Sequence, residues 1–207
     1  MKLIFLHGLG QSADSWKEVQ DFLADYPSEA LELFPSGVAN CQEAKERIYQ
    51  HLTVEKEPFV LIGLSLGAAL ALELSSSDIP NLQALALPGR PLKLAGNIPF
   101  YIQLLIFKLL PKRIFEKQGA DKALMVGVSE ELKTLDLREI ARNCPYPSLL
   151  ICGSQDKPNL SSMKAIQELM PNTQFQIIPD GPHVLNKAKP KEFAEMTRSF
   201  LELLKQV

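Results

Sequence analysis

The sequence predicts an α/β fold: a mostly parallel sheet of about six strands with helices on both faces and a helical lid insertion. Three observations predict it. Short apolar runs alternate along the chain with longer stretches of helical period. Most of those runs are apolar on both faces rather than on alternate residues, as buried parallel strands are. One segment, 89–138, breaks the rhythm and reads as a lid or cap inserted within a single domain spanning 1–207.

The elements follow in order. "KLIFLHG" is a strand entering a turn, and "ADSWKEVQDFLADY" a helix with Trp16, Val19 and Leu23 on one face. "ALELFP" is a second strand, stopped by Pro35. "NCQEAKERIYQHL" is a helix with Asn40 as cap and Glu43 three residues on. "PFVLIG" is the third strand, followed by the small-residue helix "LGAALALELSS". "LQALALPG", "PSLLICG" and "QFQIIPDG" are three more strands, with a helix near "SSMKAIQELM" between the last two. The final helix, "PKEFAEMTRSFLELLKQV", has Pro190 in its first turn and a stripe of Phe193, Met196, Phe200 and Leu204. In such a sheet, ligands bind beyond the carboxyl ends of the strands, which is where chemistry is expected.

Composition narrows the function. The 207 residues are 46% hydrophobic and 22% charged, with a formal net charge of -2. That balance suits a soluble domain with a sizeable core and argues against a general nucleic-acid binder. No run reaches the ~18 apolar residues of a membrane span. The opening "MKLIFLHGLG" lacks the ~7–15-residue apolar core of a signal peptide. A cytoplasmic location is therefore expected. Cys41, Cys144 and Cys152 are widely spaced and form no C-x-x-C pair, so reduced thiols are expected rather than a disulfide framework or a zinc site.

Gly63-Leu64-Ser65-Leu66-Gly67 lies where the third strand becomes a helix. A serine there is held in strained backbone with its hydroxyl above the sheet, the nucleophile-elbow pattern. The plainer reading is a tight turn with an incidental serine. A serine nucleophile needs a base, and the base an orienting acid. Of three histidines, His51 lies in a charged helix and His7 reads as support for the first turn. His183, in "IIPDGPHVLN", follows the last strand at the correct end of the sheet. Asp156, in "LLICGSQDKPN", lies just beyond the fifth strand; its plainer role is a helix cap. Asp180 is so local to His183 that it reads as a turn residue, and Asp121 and Asp136 belong to the insertion. Ser65, Asp156 and His183 then stand in the hydrolase order Ser…Asp…His. The oxyanion donors are the N–H of Leu66, directly after the serine, and that of Leu9 in "HGLGQSADSW"; one such donor is worth ~10²–10³ in turnover.

With "HGLGQSADSW", "GLSLG", "CGSQDKPN" and "DGPHVLNKAKPKEF" in this order, the chain resembles the α/β-hydrolase fold superfamily, in particular its small lidded esterase- and lipase-like serine hydrolases. The resemblance covers nearly the whole chain and implies the triad and oxyanion roles above, with a lid after the strand that follows the elbow helix. Two departures stand out. The chain opens directly on the "HG" strand, without the leading antiparallel strands common in the family. Residue 64 is leucine where many relatives carry histidine.

Within the insertion, "IPFYIQLLIFKLL" is almost wholly apolar. Residues 88–119 carry Arg90, Lys93, Lys108, Lys112, Arg113 and Lys117 against Glu116 alone. The plainer reading is a cap whose apolar side covers the site while its lysines face water. The second adds weak contact of this basic, greasy cap with an anionic membrane.

The expected activity is cleavage of a carboxylic ester or thioester with a hydrophobic acyl or aromatic group, through an acyl-enzyme on Ser65, with no cofactor and no metal. Acyl transfer or carbon–carbon bond hydrolysis on the same triad are the catalytic alternatives. A non-catalytic ligand-binding or membrane-surface protein is the alternative from another class. No nucleic-acid partner is expected, and monomer and dimer stand equal on sequence.

Overall fold

The computed structural model describes residues 1–89, 93–94, 96–117 and 119–206, with Pro99 described by its backbone alone. Arg90, counted above among the cations of the insertion, lies outside the described residues. So do Pro91, Leu92, Ala95 and Gln118 of the same segment, and Val207, which the last predicted helix reaches.

Six runs pair edge to edge: Lys2–Leu6 (β1), Ser28–Leu31 (β2), Phe59–Gly63 (β3), Leu82–Ala86 (β4), Ser148–Gly153 (β5) and Thr173–Ile178 (β6). Every pairing is parallel, in the order β2-β1-β3-β4-β5-β6. The period of two sends neighbouring side chains to opposite faces. Leu3 and Phe5 join Trp16, Val19, Phe193 and Phe200 on one face. Ile4 and Leu6 join Ile48, Leu52 and Leu70 on the other. Both faces are therefore covered, which is why β1, β3 and β5 read as continuous apolar runs. Trp16 is fully buried against Phe5 (4.9 Å between ring centres) and Phe193 (5.6 Å). Aromatic pairs of this kind add about 0.5–1.5 kcal/mol each beyond their buried area.

Helices fill the faces. Lys17–Phe22 (α1) continues a 3-10 turn over Ala13–Trp16 and is shorter than the single helix predicted over 13–26. Cys41–Thr53 (α2) starts at Asn40, whose side chain accepts from the Glu43 N–H at 2.9 Å. Glu43 reaches back to the Ala39 N–H at 2.8 Å, one residue before the position a strict capping box uses. Leu66–Leu74 (α3) is buried at every position but Glu73, as an all-apolar core helix must be.

β2 differs from expectation. It pairs over 28–31, whereas the apolar run predicts 30–35. Beyond Leu31 the chain leaves the sheet to wrap His7: the Leu33 N–H lies 3.1 Å from Nε2 and the Glu32 carboxylate 2.9 Å from the same nitrogen.

Between β4 and β5 the described residues form four helices: Ile98–Leu109 (α4), Lys112–Glu116 (α5), Lys122–Leu132 (α6) and Arg138–Asn143 (α7). Lys157–Leu169 (α8) follows β5, four residues earlier than the predicted start. Leu185–Ala188 (α9) and Pro190–Leu204 (α10) complete the chain after β6. Among the described residues no helix is long and apolar enough to cross a membrane. The sheet order reverses at the β1–β3 boundary, and a crevice forms there at the carboxyl ends.

Candidate active site

Ser65 sits where β3 becomes α3. Its backbone (φ 53°, ψ -106°) lies in a region that residues with a β-carbon avoid. Such geometry costs about 1–3 kcal/mol and persists only where the surroundings hold it. Here they do. The Ser65 N–H donates to the Pro88 carbonyl at 3.0 Å, the Leu64 N–H to the Leu6 carbonyl at 3.1 Å, and the Ser65 carbonyl accepts from the Ala69 N–H at 3.0 Å. The two flanking glycines make the turn tight. A β-carbon on Gly63 would stand 2.3 Å from the Gly67 carbonyl, and one on Gly67 would stand 2.3 Å from the Leu6 oxygen. Glycine at both places lets α3 press against β1 and β3, so its N-terminus opens at the crevice.

Two backbone donors are left free there. Neither the Leu66 N–H nor the Leu9 N–H has an acceptor among the described residues. Both residues line the cavity that Ser65 lines. A free helix-start N–H is a ready partner for negative charge.

Asp156 occupies the N-cap position of α8, yet its side chain caps nothing. Its carbonyl accepts from the Asn159 and Leu160 N–H groups at 3.1 and 3.0 Å, so the helix-cap reading holds for its backbone only. The carboxylate turns to His183 instead, with Nδ1 and Oδ2 2.7 Å apart. Asp156 is buried, 6% exposed, while the His183 side chain is 38% exposed. Burial alone would raise the Asp156 pKa. The hydrogen bond and charge of His183, helped by the Asn159 amide, outweigh it and hold the carboxyl below the ordinary aspartate value. An ionised Asp156 accepts from the Nδ1–H of His183, an arrangement that turns Nε2 away from the carboxylate.

Asn159 is a residue that sequence reasoning missed. Its Nδ2 donates to both carboxylate oxygens of Asp156, at 2.9 and 3.0 Å, and stands 3.3 Å from His183 Nδ1. Both nitrogens serve the same carboxylate, so the last distance is proximity between two donors. Its only sequence signal is a polar side chain three residues past the aspartate, on the same side of a first helical turn.

A second missed group joins the loop after β1 to the loop after β6. The Gly8 N–H donates to Gln11 Oε1 at 3.0 Å, and Gln11 Nε2 to Asn186 Oδ1 at 3.2 Å. Asn186, fully buried, also donates to the Ser15 carbonyl at 3.1 Å. His7 lies beneath, buried, with Nδ1 2.9 Å from the Gly8 carbonyl.

The other titratable candidates stand elsewhere. His51 pairs with Glu29 at 2.9 Å on α2. Asp180 is exposed in a turn, where its N–H donates to Ser154 Oγ at 2.8 Å. Asp121 caps α6 through the Leu124 N–H, and Asp136 binds Arg138.

The structure thus joins His183 to Asp156 and sets Ser65, His183, Leu9 and Leu66 around one cavity of about 420 Å³. Its far wall is mainly apolar, with Leu94, Phe100, Phe107, Met125, Leu132 and Leu135, mostly from α4 and α6, and Asn97, Gln103 and Ser129 set among them. Among the described residues no hydrogen bond joins the Ser65 hydroxyl to the His183 ring. In ligand-free sites such bonds are often long and tighten only when substrate is bound.

Comparison with solved structures places the fold. The chain is similar to a lipase-esterase related protein from Clostridium acetobutylicum ATCC 824, with a TM-score of 0.82 at 19% identity over 96% of this chain and 93% of that one. It is similar to MenH from S. aureus, with a TM-score of 0.80 at 15% identity over 99% and 94%. It is also similar to a thermophilic esterase from Thermogutta terrifontis, with a TM-score of 0.79 at 18% identity over 99% and 90%. At such identities the likeness is one of fold. No curated protein matches the chain in sequence. The model of the alpha/beta hydrolase family, however, matches residues 3–196, which takes in nearly the whole of the sheet, both strand-end loops and the first two turns of the last helix. The chain belongs to the alpha/beta hydrolase family.

Proposed function

We propose that the protein is a serine hydrolase that cleaves a carboxylic ester or thioester carrying a hydrophobic acyl or aromatic group. The observation that carries this reading is the 2.7 Å bond from Asp156 to His183, which lines the same cavity as Ser65. Ser65 attacks the carbonyl carbon. His183 Nε2 takes the serine proton as the bond forms, then gives it to the departing alcohol or thiol. Asp156 stays ionised throughout, holding the imidazole tautomer and stabilising its charged form. The N–H groups of Leu66 and Leu9 receive the oxyanion of the tetrahedral intermediate. Water, activated by His183, then attacks the acyl-Ser65 and releases the acid. The apolar wall under α4 and α6 seats the acyl or aromatic group, and the segment 89–138 acts as the lid over it.

Intact-mass labelling with a fluorophosphonate tests the reading. Wild type should gain one adduct and Ser65→Ala none, with labelling of His183→Ala and Asp156→Asn slowed by about 10³–10⁴. A panel of nitrophenyl esters from acetyl to dodecanoyl should then show an optimum chain length. A folded wild type that neither labels nor cleaves any ester of the panel refutes the proposal.

A further inference from the structure

Helix α4 is apolar on two sides. Phe100 and Phe107 face the cavity and Leu104 is buried. The opposite side carries Ile98, Ile102, Leu105, Ile106 and Leu109, exposed at 68, 54, 56, 48 and 75%. At 3.6 residues per turn these five positions fall within roughly 100° of arc, so they form one continuous stripe. Half of the exposed large hydrophobic residues described in the chain stand on it. Single exposed aliphatic side chains are ordinary, but a contiguous stripe of five marks an interaction surface.

The neighbouring charges decide the partner. Directly after the stripe, α5 and its end carry Lys112, Arg113 and Lys117, all exposed. Lys112 meets Glu116 at 3.2 Å, while Arg113 and Lys117 have no carboxylate partner among the described residues. Over residues 88–119 the sequence holds six cations and one carboxylate, in a chain whose net charge is -2, and two of the six, Lys93 and Lys108, pair with Asp136 and Glu130 from outside that stretch. A second copy docking stripe to stripe about a two-fold axis would bring two cationic rims together. An anionic lipid surface complements both features at once. Its acyl boundary accepts the aliphatic stripe, and its phosphates accept long side chains that keep their charged ends at the headgroups.

We propose that α4 and α5 form a docking surface for an anionic lipid bilayer, with the α4 stripe at the headgroup–acyl boundary and Lys112, Arg113 and Lys117 on lipid phosphates. The same helix that touches lipid then walls the cavity, so a chain leaving the bilayer has one helix width to cross. The docking itself does not depend on Ser65.

Co-sedimentation of the full chain with extruded vesicles tests this, using phosphatidylcholine alone or an equal mixture with phosphatidylglycerol. Wild type and Ser65→Ala should both bind mixed vesicles at least about tenfold more tightly than zwitterionic ones, and high salt should reduce the difference. Lys112→Ala/Arg113→Ala/Lys117→Ala should lose roughly a hundredfold on mixed vesicles. Ile102→Glu/Leu109→Glu, both at exposed positions, should lose at least about tenfold while keeping the wild-type melting curve. Equal binding to both vesicle types, or undiminished binding by the stripe variant, overturns the proposal. So does a wild type that binds no vesicle but elutes as a dimer that the stripe variant splits, because the stripe is then a self-association face. Absence of fluorophosphonate labelling counts against the hydrolase reading and leaves the vesicle result standing.

Discussion

Gly153→Ala should damage the fold and the His183–Asp156 pair together. Gly153 ends β5, three residues before Asp156, and faces the loop that carries His183. A β-carbon there would stand 2.0 Å from the Gly181 oxygen, 2.4 Å from the Gly181 carbonyl carbon and 2.5 Å from the Pro182 oxygen. Ordinary contact begins near 3.4 Å, so the two backbones must part by about 1.4 Å. All three obstacles are main chain, and no rotamer change relieves them. The Gln155 N–H bond to the Gly181 oxygen (3.0 Å) is lost in the process. Half of that displacement alone takes the 2.7 Å His183–Asp156 bond beyond hydrogen-bonding range. Overpacking of this kind costs about 3 kcal/mol or more. Losing the orienting carboxylate costs up to about 10⁴ in rate. Urea denaturation reads the first quantity, and the fluorophosphonate labelling rate of protein still folded reads the second. A variant with the wild-type midpoint and labelling rate would show that the two loops slide freely, and the reasoning would fail.

Three further outcomes are expected. Gly127→Ala should have the opposite sign to Gly153→Ala: it lies inside α6, its β-carbon meets nothing within 4 Å, and relief of the glycine penalty should stabilise by about 0.5–1 kcal/mol, read as a small rise in Tm. Because Asp156 is held below the ordinary aspartate value, its stabilisation is fully present above the unfolded pKa of about 3.9 and is lost as pH falls through the lower folded value. The stability gap between wild type and Asp156→Asn should therefore narrow below about pH 4; a constant gap across that window refutes the pairing. Phe107→Ala removes a ring that lines the cavity and meets Phe115 edge-on at 5.7 Å. It should shift the preferred ester to a longer chain, changing relative kcat/KM by about tenfold; an unmoved optimum means the acyl group sits elsewhere.

The parts of this molecule that were legible in the sequence are those governed by close approach and by period. Gly63 and Gly67 leave a visible spacing because no other residue fits at either place. The buried strands leave visible apolar runs because helices cover both faces. The order Ser65, Asp156, His183 was visible because each residue follows a separate strand. Boundaries were harder. The run from Ala30 to Phe34 is apolar except at Glu32, but its second half turns towards His7 and α2 instead of pairing with β1. The predicted 13–26 helix breaks early because Leu23, Tyr26 and Pro27 already turn towards β2. Asn159 and the Gln11–Asn186 contact were invisible for another reason. Asn159 lies one helical turn past Asp156, where a polar side chain is too ordinary to single it out, and the Gln11–Asn186 contact, set by tertiary approach across 175 residues of chain, has no local pattern.

That last contact has a consequence for how the molecule can change. Gln11, Ser15 and Asn186 fasten the loop that carries Leu9 to the loop that carries His183, and Asn186 is wholly buried in doing so. A buried amide without its partner is costly, about 1–3 kcal/mol. A graft of new residues into 183–189 must therefore bring 8–16 with it, and a library that varies either loop alone samples mostly misfits. The two ends of the chain form one inheritable unit although they are far apart in sequence. A double-mutant cycle on Gln11 and Asn186 should return a coupling energy above about 0.5 kcal/mol, and additive effects would dissolve the unit.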